Sequence, residues 1–330
     1  MLLETDVPLA PLTTLRLGGP ARTLLTCDTA DDLVEAISTH PHALVLGGGS
    51  NVVLPDEGLP EVVLVRNRGI EETGQGLEVQ AGEDWDALVQ HALVGGWTGL
   101  EALSGIPGTV GASPIQNIGA YGGEVAAAIG SVRVYDRRSG VVSELSPEQC
   151  GFAYRTSRFK QDPTRWLVLA VCFSLQRGEL SAPVGYAELA AVLGVRVGER
   201  VPAEQVREAV LELRRGKGMV LDPLDPDSVS AGSFFTNPLV TAAPEGAPAW
   251  PGPDGLVKVS AAWLIQQAGF DKGWGEGSVG ISGKHALALV NRGGGTAQEL
   301  LEVARAVRDG VRARFGIELV NEPVIVGATL

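Results

Sequence analysis

Apolar residues change period several times along this chain, and the changes mark out its elements. After Asp28 or Thr29, either able to cap, ADDLVEAIS places Leu33, Val34 and Ile37 on one helical face. A second helix is predicted over 84–93, with Trp85, Leu88 and His91 or Ala92 on one side. Pro202 opens a third, AEQVREAVLELRRGKG, in which Val206, Val210 and Leu213 are the apolar stripe. A fourth is expected over 259–268, ended by Gly269, and a fifth begins at the Thr296/Glu299 capping box and runs to Phe315 before Gly316. Short β-rich runs predict strands at 43–46, 61–66, 77–80, 131–136, 141–145, 165–175, 279–282, 286–291 and 317–326. The Pro/Ala-rich span 238–253 reads as an exposed loop. Strands and helices alternate without the regular spacing of a doubly wound parallel sheet, so the fold class is α+β.

Two glycine-rich stretches interrupt this pattern. Residues 104–123, SGIPGTVGASPIQNIGAYGG, hold six glycines and two prolines in twenty positions, which rules out a regular helix or strand. Such a stretch is either a buried crossover or a stiff loop able to lie along an extended cofactor, and alone the two readings weigh the same. Upstream, GGGSN (Gly47, Gly48, Gly49, Ser50, Asn51) sits between two strand-like pieces, the second being VVLP. Successive small residues there can turn consecutive N–H groups on an anion such as a pyrophosphate; taken alone, a plain tight turn is the better reading. The unit is not a Rossmann fingerprint, because no helix follows and Val52 stands where a third glycine belongs; no Gly-Lys-Ser/Thr makes it a P-loop.

Charge and composition narrow the function classes. The 330 residues carry 26 basic and 39 acidic side chains, a net charge of −13, which argues against a nucleic-acid binder. The densest positive cluster, Arg214, Arg215 and Lys217, reads either as dipole-compensating charge at a helix end or as a grip on phosphate. Cys27, Cys150 and Cys172 are odd in number and far apart, with no metal spacing, which fits a reducing cytoplasm and predicts no metal. No membrane span is expected, since the longest apolar run, 167–173, is far too short, and MLLETDVPLA lacks the features of a signal peptide.

In order along the chain stand GGGSN, GIPGTVGASPIQNIGAYGGE, YRTS, GSFFTNP and a C-terminal NEP. This ordered set resembles the UDP-N-acetylenolpyruvoylglucosamine reductase family over essentially the whole length. The long glycine loop and GSFF-x-NP are the specific signals. The resemblance implies a two-lobed FAD-binding module of the vanillyl-alcohol-oxidase (PCMH) type, in lobes 1–57 and 58–200, followed by an α+β substrate-binding domain over 201–330. It implies non-covalent FAD, NADPH as co-substrate in a shared pocket and a UDP-sugar substrate; a monomer with no nucleic-acid or membrane partner is expected.

Carried over by position, Arg155 in YRTS matches the catalytic arginine, Ser233 in GSFF the proton donor, and Glu322 in NEP the catalytic glutamate. Gly47, Gly48, Gly49, Ser50 and Asn51 would hold the FAD pyrophosphate; Ile106, Pro107, Gly108, Thr109, Gln116, Asn117 and Gly119 would line the flavin. Tyr186 resembles the residue of a substrate-covering loop, Lys217 and Asn237 resemble diphosphate contacts, Arg214 is a further phosphate candidate, and Lys284 and His285 are weaker substrate-contact candidates. A carboxylate-conjugated enol ether accepts hydride only if its developing negative charge is met by fixed donors or cations. A guanidinium fork suits that carboxylate, a hydroxyl can supply the proton, and Glu322 helps only if protonated or hydrogen-bonded. The competing expectations are a flavin-linked alcohol or sugar oxidase of the same fold and a non-catalytic nucleotide-sugar binding protein with structural FAD.

Overall fold

The computed structural model describes all residues, Met1 to Leu330. They form two compact units, one of Met1–Val7, Ala21–Gly48 and Pro60–Arg215, the other of Pro8–Pro20, Gly49–Leu59 and Gly216–Leu330.

The first unit is organised by an antiparallel five-stranded sheet, in the order Val141–Leu145, Ile129–Asp136, Trp166–Ser174, Gly76–Gln80, Ile70–Thr73. The central strand Trp166–Ser174 is covered on both faces, which is why WLVLAVCFS reads as a continuous apolar run instead of an alternation. One end of its pairing is pinned by Arg165, whose Nε and Nη2 donate to the two Asp136 oxygens at 3.1 and 2.7 Å. That hydrogen-bonded guanidinium holds the Asp136 carboxyl far below the usual carboxylate range. A four-stranded sheet, Leu2–Pro8, Pro20–Cys27, Leu59–Val65, Leu44–Leu46, completes the unit, with its last pair parallel. Leu2–Pro8, Pro20–Cys27 and Ile70–Thr73 escape the sequence pattern. The first is an almost wholly exposed edge strand and the third has three exposed residues, so neither alternates; the second starts on a proline.

Helix Ala30–Thr39 is capped by Thr29, not Asp28, through Oγ1 and the Asp32 N–H. Helix Trp85–Val94, capped by Asp84, buries Trp85, Leu88, Val89 and Ala92 and leaves His91 exposed. Helix Ala203–Gly216 packs Val206, Ala209 and Val210 against Val184, Leu189 and Ala190, a small core of its own beneath the segment that carries Tyr186. The three cysteines are free; burial pushes the Cys27 and Cys150 thiols up to about 11. No helix is long and apolar enough to cross a membrane.

The second unit holds a three-stranded antiparallel sheet, Ser230–Ser233, Ala288–Asn291, Val279–Ile281, and helices Ala261–Gln267 and Ala297–Phe315. The long helix has the predicted start and stop: Thr296 and Glu299 cap reciprocally, and Gly316 leaves at φ +68°. Three expectations need correction. The supposed loop 238–253 carries strands Leu239–Val240 and Ala249–Pro251, both paired with Val257–Val259; prolines disguise strands two or three residues long. The helix expected from 259 begins at Ala261, because Val259 ends a strand and Ser260 is the cap. The strand expected over 317–326 shrinks to Val324–Ile325, which pairs in parallel with Val52–Val53; Asn321, Glu322 and Pro323 form a turn instead, with Asn321 Nδ2 donating to the Pro323 carbonyl at 2.8 Å.

Candidate active site

In the first unit the two glycine stretches meet backbone to backbone. A Cβ on Gly48 would stand 2.6 Å from the Gly108 Cα, and one on Gly47 would stand 2.5 Å from Thr109 Oγ1. At Gly48 the neighbour is main chain that cannot give way, so glycine is dictated there by close approach; at Gly47 a side chain would have to displace the Thr109 hydroxyl. The loop from Gly105 is further clipped to the start of helix Trp85–Val94: the Trp85 N–H donates to the Gly108 carbonyl at 3.0 Å and the Val110 N–H to the Glu83 carbonyl at 2.9 Å. The result is a tightly held surface of main chain and small side chains, whose composition fits a pyrophosphate and the polar edge of a flavin. Gly48→Ala is expected to destabilise the protein by about 1–3 kcal/mol through overpacking. It is also expected to purify with well under half the wild-type flavin content, read as the ratio of visible to ultraviolet absorbance.

Arg155 lies on the same unit, at φ +52°, a left-handed conformation that costs a non-glycine residue roughly 1–2 kcal/mol. Its Nη2 donates to the Gly119 carbonyl at 2.7 Å and its Nη1 to the Asn117 carbonyl at 3.4 Å. The guanidinium is thereby laid along the far half of the glycine stretch. Asn117, 1% exposed and itself at φ +48°, spends its side chain on protein: Nδ2 donates to Glu124 Oε2 at 2.8 Å and to the Ala153 carbonyl, and Oδ1 accepts the Ala126 N–H. It shapes the loop that Arg155 grips. Arg214 is 5% exposed, and burial, against the pull of Tyr121 and Asp86, lowers its guanidinium to about 10. It therefore stays cationic at neutral pH, with Arg155 adding repulsion of the same sign. Tyr186, half-exposed, meets Tyr121 edge to face at 5.8 Å, and Gly185 packs on Gly122.

In the second unit Ser233, His285 and Glu322 lie close together around strand Ser230–Ser233. The Ser230–Ser233 strand slips register against Ala288–Asn291 between Ser230 and Ser233, and Gly232 within the slip has φ +71°. This bulge re-aims Ser233. Its Oγ lies 3.3 Å from His285 Nε2, and the His285 and Lys284 N–H groups both donate to Ser282 Oγ, at 3.1 and 3.0 Å. Immediately after Ser233, the Phe234 carbonyl accepts the Glu322 N–H at 2.8 Å, and Phe235 bridges Asn321. GSFF and NEP are thus neighbours on paired backbone, anchored by the buried Phe234–Phe235 ring pair. Asn51 braces the same turn: its Nδ2 donates to the Glu322 carbonyl at 3.4 Å, and its own carbonyl accepts the Val324 N–H at 3.0 Å. Gly49, at φ +61°, abuts the backbone of Leu12 and Thr13. Asn237 Oδ1 accepts the N–H of Ala261 at 2.9 Å, and Lys284 Nζ pairs with Asp225 at 2.8 Å, which raises the amine's pKa.

Comparison with known proteins supplies the identity. Residues 222–326 match the model of the C-terminal domain of UDP-N-acetylenolpyruvoylglucosamine reductase, and residues 21–146 match an FAD binding domain. The UDP-N-acetylenolpyruvoylglucosamine reductase of Streptomyces coelicolor is 51% identical over 98% of this chain and 90% of its own length, and that of Salinispora arenicola is 52% identical over 99% and 96%. The chain belongs to the UDP-N-acetylenolpyruvoylglucosamine reductase family. A solved family structure, from Thermus caldophilus, superposes with a TM-score of 0.70 at 30% identity, covering 98% of this chain and 99% of that one.

Membership makes the chain a flavin-dependent oxidoreductase of peptidoglycan synthesis, using FAD with NADPH as co-substrate. Of the motif residues, Gly47, Gly48, the 106–109 and 116–119 loops, Arg155, Tyr186 and Arg214 fall in the first unit; Gly49, Ser50, Asn51, Lys217, Ser233, Asn237, Lys284, His285 and Glu322 fall in the second. Sequence reasoning passed over Asp86, whose carboxylate accepts the N–H of Gly105 at 2.6 Å at the head of the glycine-rich loop. Its one sequence signal is a place in the first turn after the Asp84 cap.

Proposed function

We propose that the chain reduces the enolpyruvyl ether of UDP-N-acetylenolpyruvoylglucosamine to UDP-N-acetylmuramate, and that Arg155, Ser233 and Glu322 do the polar work of the step. What carries the reading is the pairing of GSFF with NEP through the Phe234–Glu322 backbone bond and the Phe235–Asn321 bridge, which makes neighbours of two family motifs far apart in sequence. Bound FAD supplies the hydride chemistry, recharged by NADPH.

The chain's residues handle charge and protons. Arg155, held by two loop carbonyls, offers a fixed cation to a substrate carboxylate that gains negative charge on hydride addition. Ser233 Oγ delivers the proton to the adjacent carbon, and His285 orients it. Glu322 acts as a hydrogen-bonded or protonated partner of the carboxylate, since a bare like charge there would oppose the reaction. Gly47 to Asn51 hold the pyrophosphate of FAD; Ile106, Pro107, Gly108, Thr109, Gln116 and Gly119 line the flavin, and Asn117 supports that lining from behind. Lys217, Arg214 and Asn237 serve the diphosphate of the UDP-sugar and of NADPH in turn, while Lys284 frames the turn that presents His285. Tyr186 closes on the sugar nucleotide. The buried free thiols suit a reducing cytoplasm.

The test is NADPH consumption by purified protein, followed at the NADPH absorbance band. Consumption should require the enolpyruvyl substrate and match product one for one. Consumption that tracks oxygen instead, or none with FAD bound, overturns the reading.

A further inference from the structure

Asp86 stands in the first turn of helix Trp85–Val94, and its carboxylate serves two separate elements. Oδ1 accepts the Gly105 N–H at 2.6 Å, and the two oxygens take Arg207 Nη1 and Nη2 at 2.6 and 2.8 Å. The Arg207 fork is bidentate and its side chain only 15% exposed, so the pair is partly shielded from solvent. Burial by itself would raise the Asp86 carboxyl; the Arg207 and Gly105 hydrogen bonds and the nearby Arg214 charge outweigh it and leave it below the usual range.

What the carboxylate holds matters more than the pair's strength. Gly105, at φ +71°, is the residue from which the Ile106, Pro107, Gly108, Thr109 loop departs. The rest of that loop is clipped to the same helix end by main chain alone: Trp85 N–H to Gly108 carbonyl, Val110 N–H to Glu83 carbonyl, Gly111 N–H to Ala81 carbonyl. Asp86 is a side-chain rung of this ladder at its open end, next to Trp85, whose Nε1 donates to the Leu103 carbonyl at 2.9 Å. Arg207 reaches it from helix Ala203–Gly216, whose apolar face supports the segment bearing Tyr186.

We propose that Asp86, clamped by Arg207, is a positioning residue for the flavin: it fixes Gly105 and so the loop that lines the isoalloxazine, and ties that loop to the helix beneath the tyrosine segment. The proposal rests on the reading of residues 106–109 as flavin-lining. Main-chain N–H donors favour the more electron-rich, reduced flavin, so loosening the loop weakens reduced flavin most.

Asp86→Ala removes both partners, Asp86→Asn keeps an acceptor for Gly105, and Arg207→Met leaves Gly105 bonded to an unclamped carboxylate. Each holoprotein is assayed for FAD affinity, visible spectrum, flavin midpoint potential and thermal midpoint. Asp86→Ala should weaken FAD binding about tenfold and shift the visible bands. A further tenfold loss of preference for reduced over oxidised flavin should move the potential about 30 mV more negative. Arg207→Met should do the same in smaller measure and Asp86→Asn least. Should Asp86→Ala not fold, Arg207→Met against Asp86→Asn decides. Lowered thermal midpoints with affinity, spectrum and potential unchanged would overturn the proposal and leave a purely structural clamp. Wild-type protein that binds no FAD would instead overturn the flavin-lining reading itself, before any variant is compared.

Discussion

Arg155→Ala is expected to turn over roughly 10²–10³ times more slowly than the wild type, with NADPH still bleaching the flavin band at close to the normal rate. In the role proposed for it, Arg155 serves only the second half of the cycle, when charge develops on the substrate carboxylate, so the two half-reactions should separate. A fixed guanidinium is worth this much because its position is set in advance: the Gly119 and Asn117 carbonyls hold it, and no side-chain search is needed when charge appears. Arg155→Lys should lose nearly as much, since an ammonium lacks the planar fork. Arg155→Ala should also lose about 1–3 kcal/mol of folding stability, because the Gly119 and Asn117 carbonyls lose their charged donor, while the left-handed backbone at φ +52° adds no difference between alanine, lysine and arginine. Rapid-mixing absorbance at the flavin band, with NADPH alone and then with enolpyruvyl substrate, makes the comparison. Equal slowing of both halves would remove Arg155 from the role assigned.

Ser233→Ala should lower turnover by about 10²–10⁴, the usual worth of a positioned acid. Its hydroxyl is half-buried and hydrogen-bonded to His285, so deletion costs the proton while leaving the bulge backbone intact. Ser233→Cys, which keeps a protic group at the same place, should recover part of the loss. Ser233→Gly should lose as much as alanine. In heavy water the wild type should slow more than the alanine variant, in which a different proton source takes over. Turnover of Ser233→Ala within a few-fold of wild type would show that another group donates.

Much of the molecule could be read from residue order. The capping box at Thr296, the stop at Gly316 and the continuous apolar run of Trp166–Ser174 are local rules, enforced by hydrogen bonds and side-chain size within a few residues. The specific spacing of GSFF-x-NP and the long glycine loop likewise carried the family, because close backbone approach admits only glycine wherever it occurs. Short strands at 239–240 and 249–251 stayed hidden, since pairing with Val257–Val259 is a property of the partner and not of two or three residues.

By itself, then, the sequence determined the α+β class, the long helices and their ends, and the identities of Arg155, Ser233 and Glu322 as candidates. Only the tertiary structure decided that Asn51 braces the Glu322 turn, that His285 stands at Ser233, that Arg214 is a buried cation, and that Asp86 holds Gly105 at the head of the glycine-rich loop. The reason is physical: helix caps and glycine turns are satisfied by neighbours in the chain, whereas a carboxylate or guanidinium acquires its role from partners that folding brings to it over long sequence distances.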